Sequence, residues 1–413
     1  AITEVGAGIQ VSPNGLRVIE ALGLAQGLAA RACKARAVVL RDGLSGEQVL
    51  RLDLGQLPEG QGYQFVHRAD LVELLADAAR EAGVRIRLLQ KVRSVVPGRT
   101  PSLELCNGDS VGGDLVVGAD GLHSVLRQAL NGRASAFFTK QVAWRAIVSN
   151  TSAHPAEAQV HMGPGRHIVS YPLRDGSSVN LVAVEERSHW VDEGWAQEDS
   201  PENLRAAFAG FGGRVPEMLA SVERVGLWGL FRHPVARSWH GEGVALLGDA
   251  AHPTLPFMAQ GANMALEDAW TLAACLAADA DQAQALERYQ SRRRNRCERI
   301  VSAANGNAWK YHLRNPLLRG VAHRGLGLAG RLMPQRMLQQ FDWIYGHDVT
   351  VVTRGETPKT ADPEWKQVKS AQASYKSGQA FHDALAELEF EVLIDILGDD
   401  VPALYRNAKG RID

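Results

Sequence analysis

One stretch limits what this chain can be. From Gly243 to Trp270 it reads GVALLGDAAHPTLPFMAQGANMALEDAW. An apolar strand, Val244 to Leu247, runs into Gly248-Asp249. A loop with Pro253, Pro256 and Gly261 follows, and a helix begins near Ala262–Asn263. A short apolar strand feeding a loop and then a helix is a βα unit, whose ligand side lies at the strand's C-terminal end. Gly248 permits close backbone approach to a ligand. Asp249 can accept hydrogen bonds from sugar hydroxyls. The first N–H groups of the following helix lack intrahelical partners and carry the positive end of its dipole, which suits a phosphate or an anionic ring oxygen. The Gly-Asp pair alone reads as an ordinary polar loop; the whole run does not.

The remainder of the chain is organised around this unit. At 413 residues, it is long enough for two or three domains, or for one large α/β fold with an insertion. Apolar spacing predicts a helix over 13–32, with Ser12 as N-cap and Pro13 at the first helical position. Residues 36–54 predict a hairpin, 67–83 a helix stopped by Gly83, and 84–89 and 92–96 short strands. Residues 114–119 read as a second buried parallel strand, ending at Asp120-Gly121. Residues 136–235 change character: runs such as HIVSYPL and SVNLVAV are β-rich, with one helical patch at 201–213. Long helix is expected over 261–310, short Gly- and Arg-rich helical patches over 312–345, and an amphipathic helix over 377–398. That last segment carries seven acids and no Lys or Arg between Asp383 and Asp400.

Composition excludes several classes. Hydrophobic residues at 45% and charged residues at 22% rule out a disordered chain or a fibre. Lys+Arg 45 against Asp+Glu 46 gives no overall pull on nucleic acid. The Arg292, Arg293, Arg294 and Arg296 cluster sits beside Glu287 and Glu298 and reads as a solvated helix face. No run of about 18 apolar residues predicts a membrane span, and no leader peptide is recognised. Cys33, Cys106, Cys275 and Cys297 form no C-x-x-C pair, so no metal site is expected and a reducing cytoplasm is the expected location.

The Gly243–Trp270 run resembles the Gly-Asp motif of the flavoprotein aromatic hydroxylases, the single-component FAD monooxygenases. Further matches follow in order along the chain. VVGADGLHSVLR (116–127) resembles that family's Asp-Gly motif, and VHRADL (66–71) the segment whose Arg reaches FAD. GAGIQVSPNGLRVIEALGL (6–24) resembles the segment after the second strand of the FAD domain, and DWIYGHD (342–348) the end of salicylate-hydroxylase-like members. The likeness runs from about residue 1 to 348. It departs at the front. The family's opening βαβ unit, with its GxGxxG loop and acidic second strand, has no counterpart in these residues, roughly 35 positions of a typical start. The Gly6–Val11 segment does not replace it, because Val11 stands where the third Gly belongs.

The resemblance implies a three-layer, Rossmann-like α/β FAD domain with an inserted antiparallel β-sheet substrate domain. The expected division is 1–135 for the first part of the FAD domain and 136–235 for the substrate domain. Residues 236–345 would be the second FAD part with long helices, and 346–413 a linker and tail. FAD, NAD(P)H as transient reductant, O₂ and a small aromatic acid or phenol are the implied partners, with a homodimer left open. Reduced flavin would form a C4a-hydroperoxide that attacks the ring. The implied cofactor contacts are Gly8, Gln10, Arg68, Val92, Asp120, Gly248, Asp249, Gly261, Ala262 and Asn263. Asp120 reads equally well as a loop cap, and Val92 as plain strand core. Pro253, Phe257 and Phe231 are expected at the substrate pocket, and His161, Tyr171 and His233 are the expected catalytic candidates, with His167 beside them. The alternative is a flavin-binding protein with another redox, regulatory or interaction role. A flavin halogenase is disfavoured because Trp190 and Trp195 lack the W-x-W spacing.

Overall fold

The computed structural model describes residues 8–133, 135–188, 197–351 and 391–394. The chain begins with β1 (Gly8–Val11), α1 (Pro13–Ala21), α2 (Ala25–Ala29), β2 (Ala32–Lys34), β3 (Ala37–Asp42), β4 (Gln48–Asp53) and β5 (Gln64–His67). It continues with α3 (Arg68–Glu81), β6 (Arg85–Leu88), β7 (Val92–Val96), β8 (Ser102–Leu105), β9 (Ser110–Gly112), β10 (Val116–Gly118) and α4 (Val125–Asn131). A long strand, β11 (Phe137–Ser149), opens the β-rich block. It is followed by β12 (Glu157–Gly163), β13 (Arg166–Leu173), β14 (Ser178–Glu186), β15 (Gln197–Asp199), α5 (Pro201–Ala207), α6 (Val215–Ala220) and β16 (Val225–Arg232). Then come β17 (His240–Gly241), β18 (Val244–Leu246), α7 (Gly261–Ala278), α8 (Gln282–Tyr311), α9 (Pro316–Leu332), α10 (Pro334–Gln339), α11 (Asp342–Tyr345) and β19 (Glu391–Ile394).

Two sheets position the site. In the first, β10 and β18 pair in parallel, with Val116 opposite Val244 and Gly118 opposite Leu246, and β17 flanks β18. Val244, Ala245 and Leu246 are fully buried under α7 and α8, in a cluster with Met264, Cys275, Tyr289 and Ile300. Their apolar side chains explain why this strand is a core element and why its polar end, Gly248-Asp249, is what emerges. The second sheet has eight strands in the order β15-β16-β11-β14-β13-β12-β3-β4. It extends beyond residues 136–235, because the expected hairpin β3–β4 joins its edge, and β3 pairs with β12 in parallel.

Side chains alternate between the faces of a strand. Across the large sheet this gives two different surfaces. Trp144, Ala146, Ile168, Leu181, Ala183 and Leu227 point to one face, which packs on Phe208, Phe211, Met218 and Leu219 of the α5–α6 segment. Ala143, Val184, Trp228 and Leu230 point to the other, where Leu255 and Phe257 of the Gly-Asp loop pack. The sheet therefore has a helix-covered face and a loop-covered face.

Several boundaries differ from expectation for local reasons. The 13–32 helix divides at Gly23, which has φ +76° and turns the chain between α1 and α2. Ser12 is the N-cap residue but does not cap with its hydroxyl, which donates to Asn14 Oδ1 at 2.7 Å. His67 caps α3, its ring accepting from the Ala69 N–H. The 261–310 helix is two helices, because the Asp281 carboxylate accepts from Ala283 and Gln284 N–H and starts α8 anew. In the tail, Glu391–Ile394 is a strand parallel to β6, not helix; the rest of 377–398 lies outside the described residues, as do Trp190 and Trp195.

Candidate active site

The floor of the site is the turn after β18. Gly248 has φ +60°, a left-handed conformation that favours glycine. Its N–H donates to Asp268 Oδ2 at 3.0 Å. Asp268 is fully buried, pairs with Arg293 Nε at 2.7 Å, and takes a short hydrogen bond from His252. The neighbouring Glu267, also fully buried, pairs with Arg293 at 2.6 Å and Arg296 at 2.7 Å, and accepts from Asn14 Nδ2 at 2.6 Å. Burial alone would raise the Asp268 carboxyl; the charges of His252 and Arg293 offset this and hold it below the ordinary range. Burial likewise works against a charged His252, and Asp268 outweighs it, holding the imidazole well above its usual value. Asp268 and His252 also lie near the Cys297 thiol, but the carboxylate is already shared by a guanidinium, an imidazole and an amide. It acts as the hub that fixes the turn.

Asp249, one residue on, is exposed yet closely surrounded. Desolvation raises its carboxyl, His252 and Arg68 pull it down, and Asp268 pushes it up. An acceptor that is both open to solvent and surrounded by protein lies in a concavity. Arg68 opens α3, and its charge is felt at Asp249. Gly261 opens the 18-residue α7, which has no side-chain N-cap; a Cβ added there would meet nothing closer than Thr254 Cγ2 at 3.5 Å and Asp249 Oδ1 at 3.9 Å. The structure thus brings Gly248, Asp249, Gly261, Ala262 and Arg68 to one place. An open carboxylate, a cation and an uncapped helix start are the donors and acceptors that a dinucleotide with ribityl hydroxyls and a pyrophosphate requires, so these residues fit FAD.

Asn263 has a different role for its side chain. Buried, it accepts from Ser12 N–H at 3.0 Å and donates to the carbonyls of Gln10 at 3.0 Å and Ala259 at 2.8 Å. It clamps β1 to the start of α7, leaving only its backbone for a ligand. Gly8 is held by β1 against the sheet: its N–H donates to Asn180 Oδ1 at 2.9 Å, and an added Cβ would meet Tyr171 Cε2 at 2.6 Å. Gln10 accepts from the Tyr63 hydroxyl at 2.8 Å. Two expected contacts stand apart. Asp120 is exposed and its Oδ2 accepts from Val125 N–H at 2.8 Å, the loop-cap geometry. Val92 lies on β7 opposite Leu105, in the separate β7-β8-β9 sheet.

The roof is the loop-covered face of the large sheet. Tyr171, His167, Arg145, Trp228 and Asn180 share this face by register: His167 is opposite Val184, Tyr171 opposite Asn180, and Ala143 opposite both Val184 and Trp228. The Arg145 guanidinium lies over the Trp228 ring, 4.3 Å from its centroid. Tyr171 is buried beside Phe65, with ring centroids 5.0 Å apart. Burial raises its phenol well above the ordinary range, and the Arg145 charge and a Gln10 hydrogen bond oppose this in part. The ring centroids of Phe257, on the Gly-Asp loop, and His167 lie 5.8 Å apart, and Pro253 of the same loop is buried. His167 Nδ1 lies 2.7 Å from His312 Nε2, and His312 Nδ1 lies 3.0 Å from Glu186 Oε1, while Arg314 holds Glu186 Oε2. Burial and the neighbouring His312 hold His167 well below the usual histidine value, so it stands neutral with one ring nitrogen as an acceptor.

Two sequence candidates are corrected by strand parity. His161 pairs with Ile168, and its neighbour Met162 pairs with His167, so His161 points to the helix-covered face, away from Tyr171. There it is buried, both ring nitrogens without a hydrogen-bond partner among the described residues, and burial lowers its pKa to about 3. Phe231 points the same way and packs on Phe138, 5.3 Å between centroids, leaving Trp228 and Leu230 to face the loop. His233 is half-buried just past the end of β16. Arg145, Asn180, Glu186 and His312 were not found from the sequence; nothing local marks them, since their partners lie far along the chain.

Comparison with known proteins places the chain in a family. A family model described as "FAD binding domain" matches residues 5–304. The chain is 33% identical to the 3-amino-4-hydroxybenzoate 2-monooxygenase of Streptomyces platensis, over 84% of this chain and 88% of that one. It is 32% identical to the 3-hydroxybenzoate 6-hydroxylase of Polaromonas naphthalenivorans, with the same coverage, 84% and 88%. Among solved structures, Klebsiella pneumoniae HpxO in complex with FAD and uric acid superposes with a TM-score of 0.73 at 25% identity, over 83% of this chain and 89% of that one.

Proposed function

Because this chain belongs to the FAD binding domain family of flavin-dependent aromatic hydroxylases, we propose that it hydroxylates a small ring bearing both a hydroxyl and a carboxylate, using NAD(P)H and O₂. The observation that carries the choice of substrate is Arg145. A guanidinium over Trp228, on the face that meets the Gly-Asp loop, has the charge and the fork geometry that a ring carboxylate pairs with. FAD, when bound, would supply the redox chemistry, through which NAD(P)H and O₂ are consumed, one oxygen atom going to the ring and the other to water.

The chain's own residues do the rest. Asp249, Arg68 and the start of α7 hold the cofactor. Asp120 and Val92 stay outside this core set, as outlying contacts to cofactor or reductant. Ala143, Val184, Leu230, Leu255 and Phe257 keep water from the ring. His167 takes the substrate's phenolic proton, with His312 and Glu186 setting its tautomer and passing the charge outward. Tyr171 presents its neutral hydroxyl beside Gly8. Four free thiols support a cytoplasmic setting.

The test is NAD(P)H oxidation by the FAD-loaded protein across hydroxybenzoates, aminohydroxybenzoates and aromatic acids without a hydroxyl. Stimulation by a hydroxybenzoate, with a product heavier by one oxygen, is the expected result. Oxidation that no aromatic acid stimulates would instead favour a flavoprotein with another role.

A further inference from the structure

Helix α9 sits on β4 through a face made for close contact. An added Cβ at Gly330 would meet Leu50 Cδ1 at 2.3 Å, and one at Gly327 the Val49 carbonyl at 3.1 Å. Beside them, Arg319 and His323 reach Asp42 at 3.9 and 3.0 Å. The opposite face is apolar and open. Leu317, Val321, Leu328 and Leu332 are 79%, 69%, 58% and 70% exposed. At about 100° per residue, these four fall within an arc of roughly 60°. Leu318 borders the stripe, and Met333, the residue after the helix, is exposed as well. An aliphatic stripe of this extent on a surface helix marks an interaction site.

Charge says what kind. From Arg299 to Phe341 the sequence contains no Asp or Glu, but it holds Arg299, Lys310, Arg314, Arg319, Arg324, Arg331 and Arg336. The whole chain is balanced, so this is a local excess. Arg324 and Arg331 are exposed and project along one edge of the stripe, with no carboxylate among the described residues paired to either. We propose that α9 is an interfacial helix that docks on an anionic phospholipid surface, with its aliphatic stripe in the acyl boundary and Arg324 and Arg331 on the headgroups. A second copy of this chain fits poorly: a two-fold contact through α9 would set these arginines against their own counterparts, with no acid on α9 to pair with them. The orientation is a docked one, since no helix among the described residues is long and apolar enough to cross a membrane.

The test is flotation of the full-length, FAD-loaded protein with vesicles of phosphatidylcholine alone or mixed with phosphatidylglycerol, at low and high salt. The expected result is binding to the anionic vesicles only, reversed by salt. Leu317→Gln with Leu328→Gln should abolish it. Arg324→Gln and Arg331→Gln should each weaken it by about fivefold. All four sites lie outside the catalytic machinery, so the flavin content of the variants should be unchanged. Failure to float with anionic vesicles, or flotation unaffected by these variants, overturns the proposal. So does a dimer in sedimentation that the leucine variants dissociate, which would assign the face to a second copy.

Discussion

The floor and the roof of the site are held together by different physics. Under the floor, His252, Asp268, Glu267, Arg293 and Arg296 form a buried network in which each acid is shared by two or more donors. The roof is an apolar sheet face on which a few polar groups, Arg145, Tyr171 and His167, stand among Ala143, Val184, Trp228 and Leu230. A network of buried charges is rigid because no member can leave without stranding another. An apolar face tolerates changes of side chain in graded steps. The floor therefore suits an invariant cofactor, and the roof suits adjustment to one substrate among related ones.

The sharpest way to break this contrast is at Asp268. Asp268→Ala leaves the buried His252 without its counter-charge and Arg293 with Glu267 alone, and should cost about 3–5 kcal/mol, read as a large drop in melting temperature with loss of flavin. A variant that melts like the parent would show that the floor is not held by charge. At the roof, His167→Gln should leave folding and flavin content intact and lower turnover by about 10²–10⁴-fold in steady-state kinetics. Arg145→Met should raise the KM for a hydroxybenzoate by about 10- to 100-fold with kcat nearly unchanged, the loss of one charge-assisted contact. An equal fall in kcat would move Arg145 from anchoring the ground state to the chemistry.

His161 sharpens the contrast between the two faces of the sheet. Its folded pKa of about 3 lies below the unfolded value, so the native state binds fewer protons than the unfolded chain. Its stability is then complete above the unfolded value near 6.5 and falls as pH drops toward 3. The loss is about 2 kcal/mol at pH 5. His161→Leu should flatten this acid limb in denaturant titrations and leave turnover at pH 7.5 unaltered. Lost turnover would put His161 back in the active site.

What the sequence revealed divides along the same line. The floor was legible because strand, turn and helix start are contiguous: Gly248, Asp249 and Gly261 fall within one run, and its shape dictates where a ligand sits. The roof was not, because it depends on strand parity. Every residue of β12 from Glu157 to Gly163 is buried, so the alternation that would have separated His161 from Met162 is absent from the sequence pattern. Phe231 misled for a related reason, standing one position from the loop-facing Leu230. His312 joins His167 across 145 residues, a pairing that only the folded sheet and the end of α8 bring about. The division between α7 and α8 was readable in principle from the capping residue Asp281, which a continuous helical spacing concealed.

The central claim is that the loop-covered face recognises an aromatic ring by its carboxylate. The most direct test compares each hydroxybenzoate with the phenol that lacks only the carboxylate, measuring product formed per NAD(P)H consumed. The account predicts coupled hydroxylation of a hydroxybenzoate, at least tenfold weaker apparent affinity for the matching phenol, and loss of that preference in Arg145→Met. Equal handling of acid and phenol by the parent enzyme would contradict it.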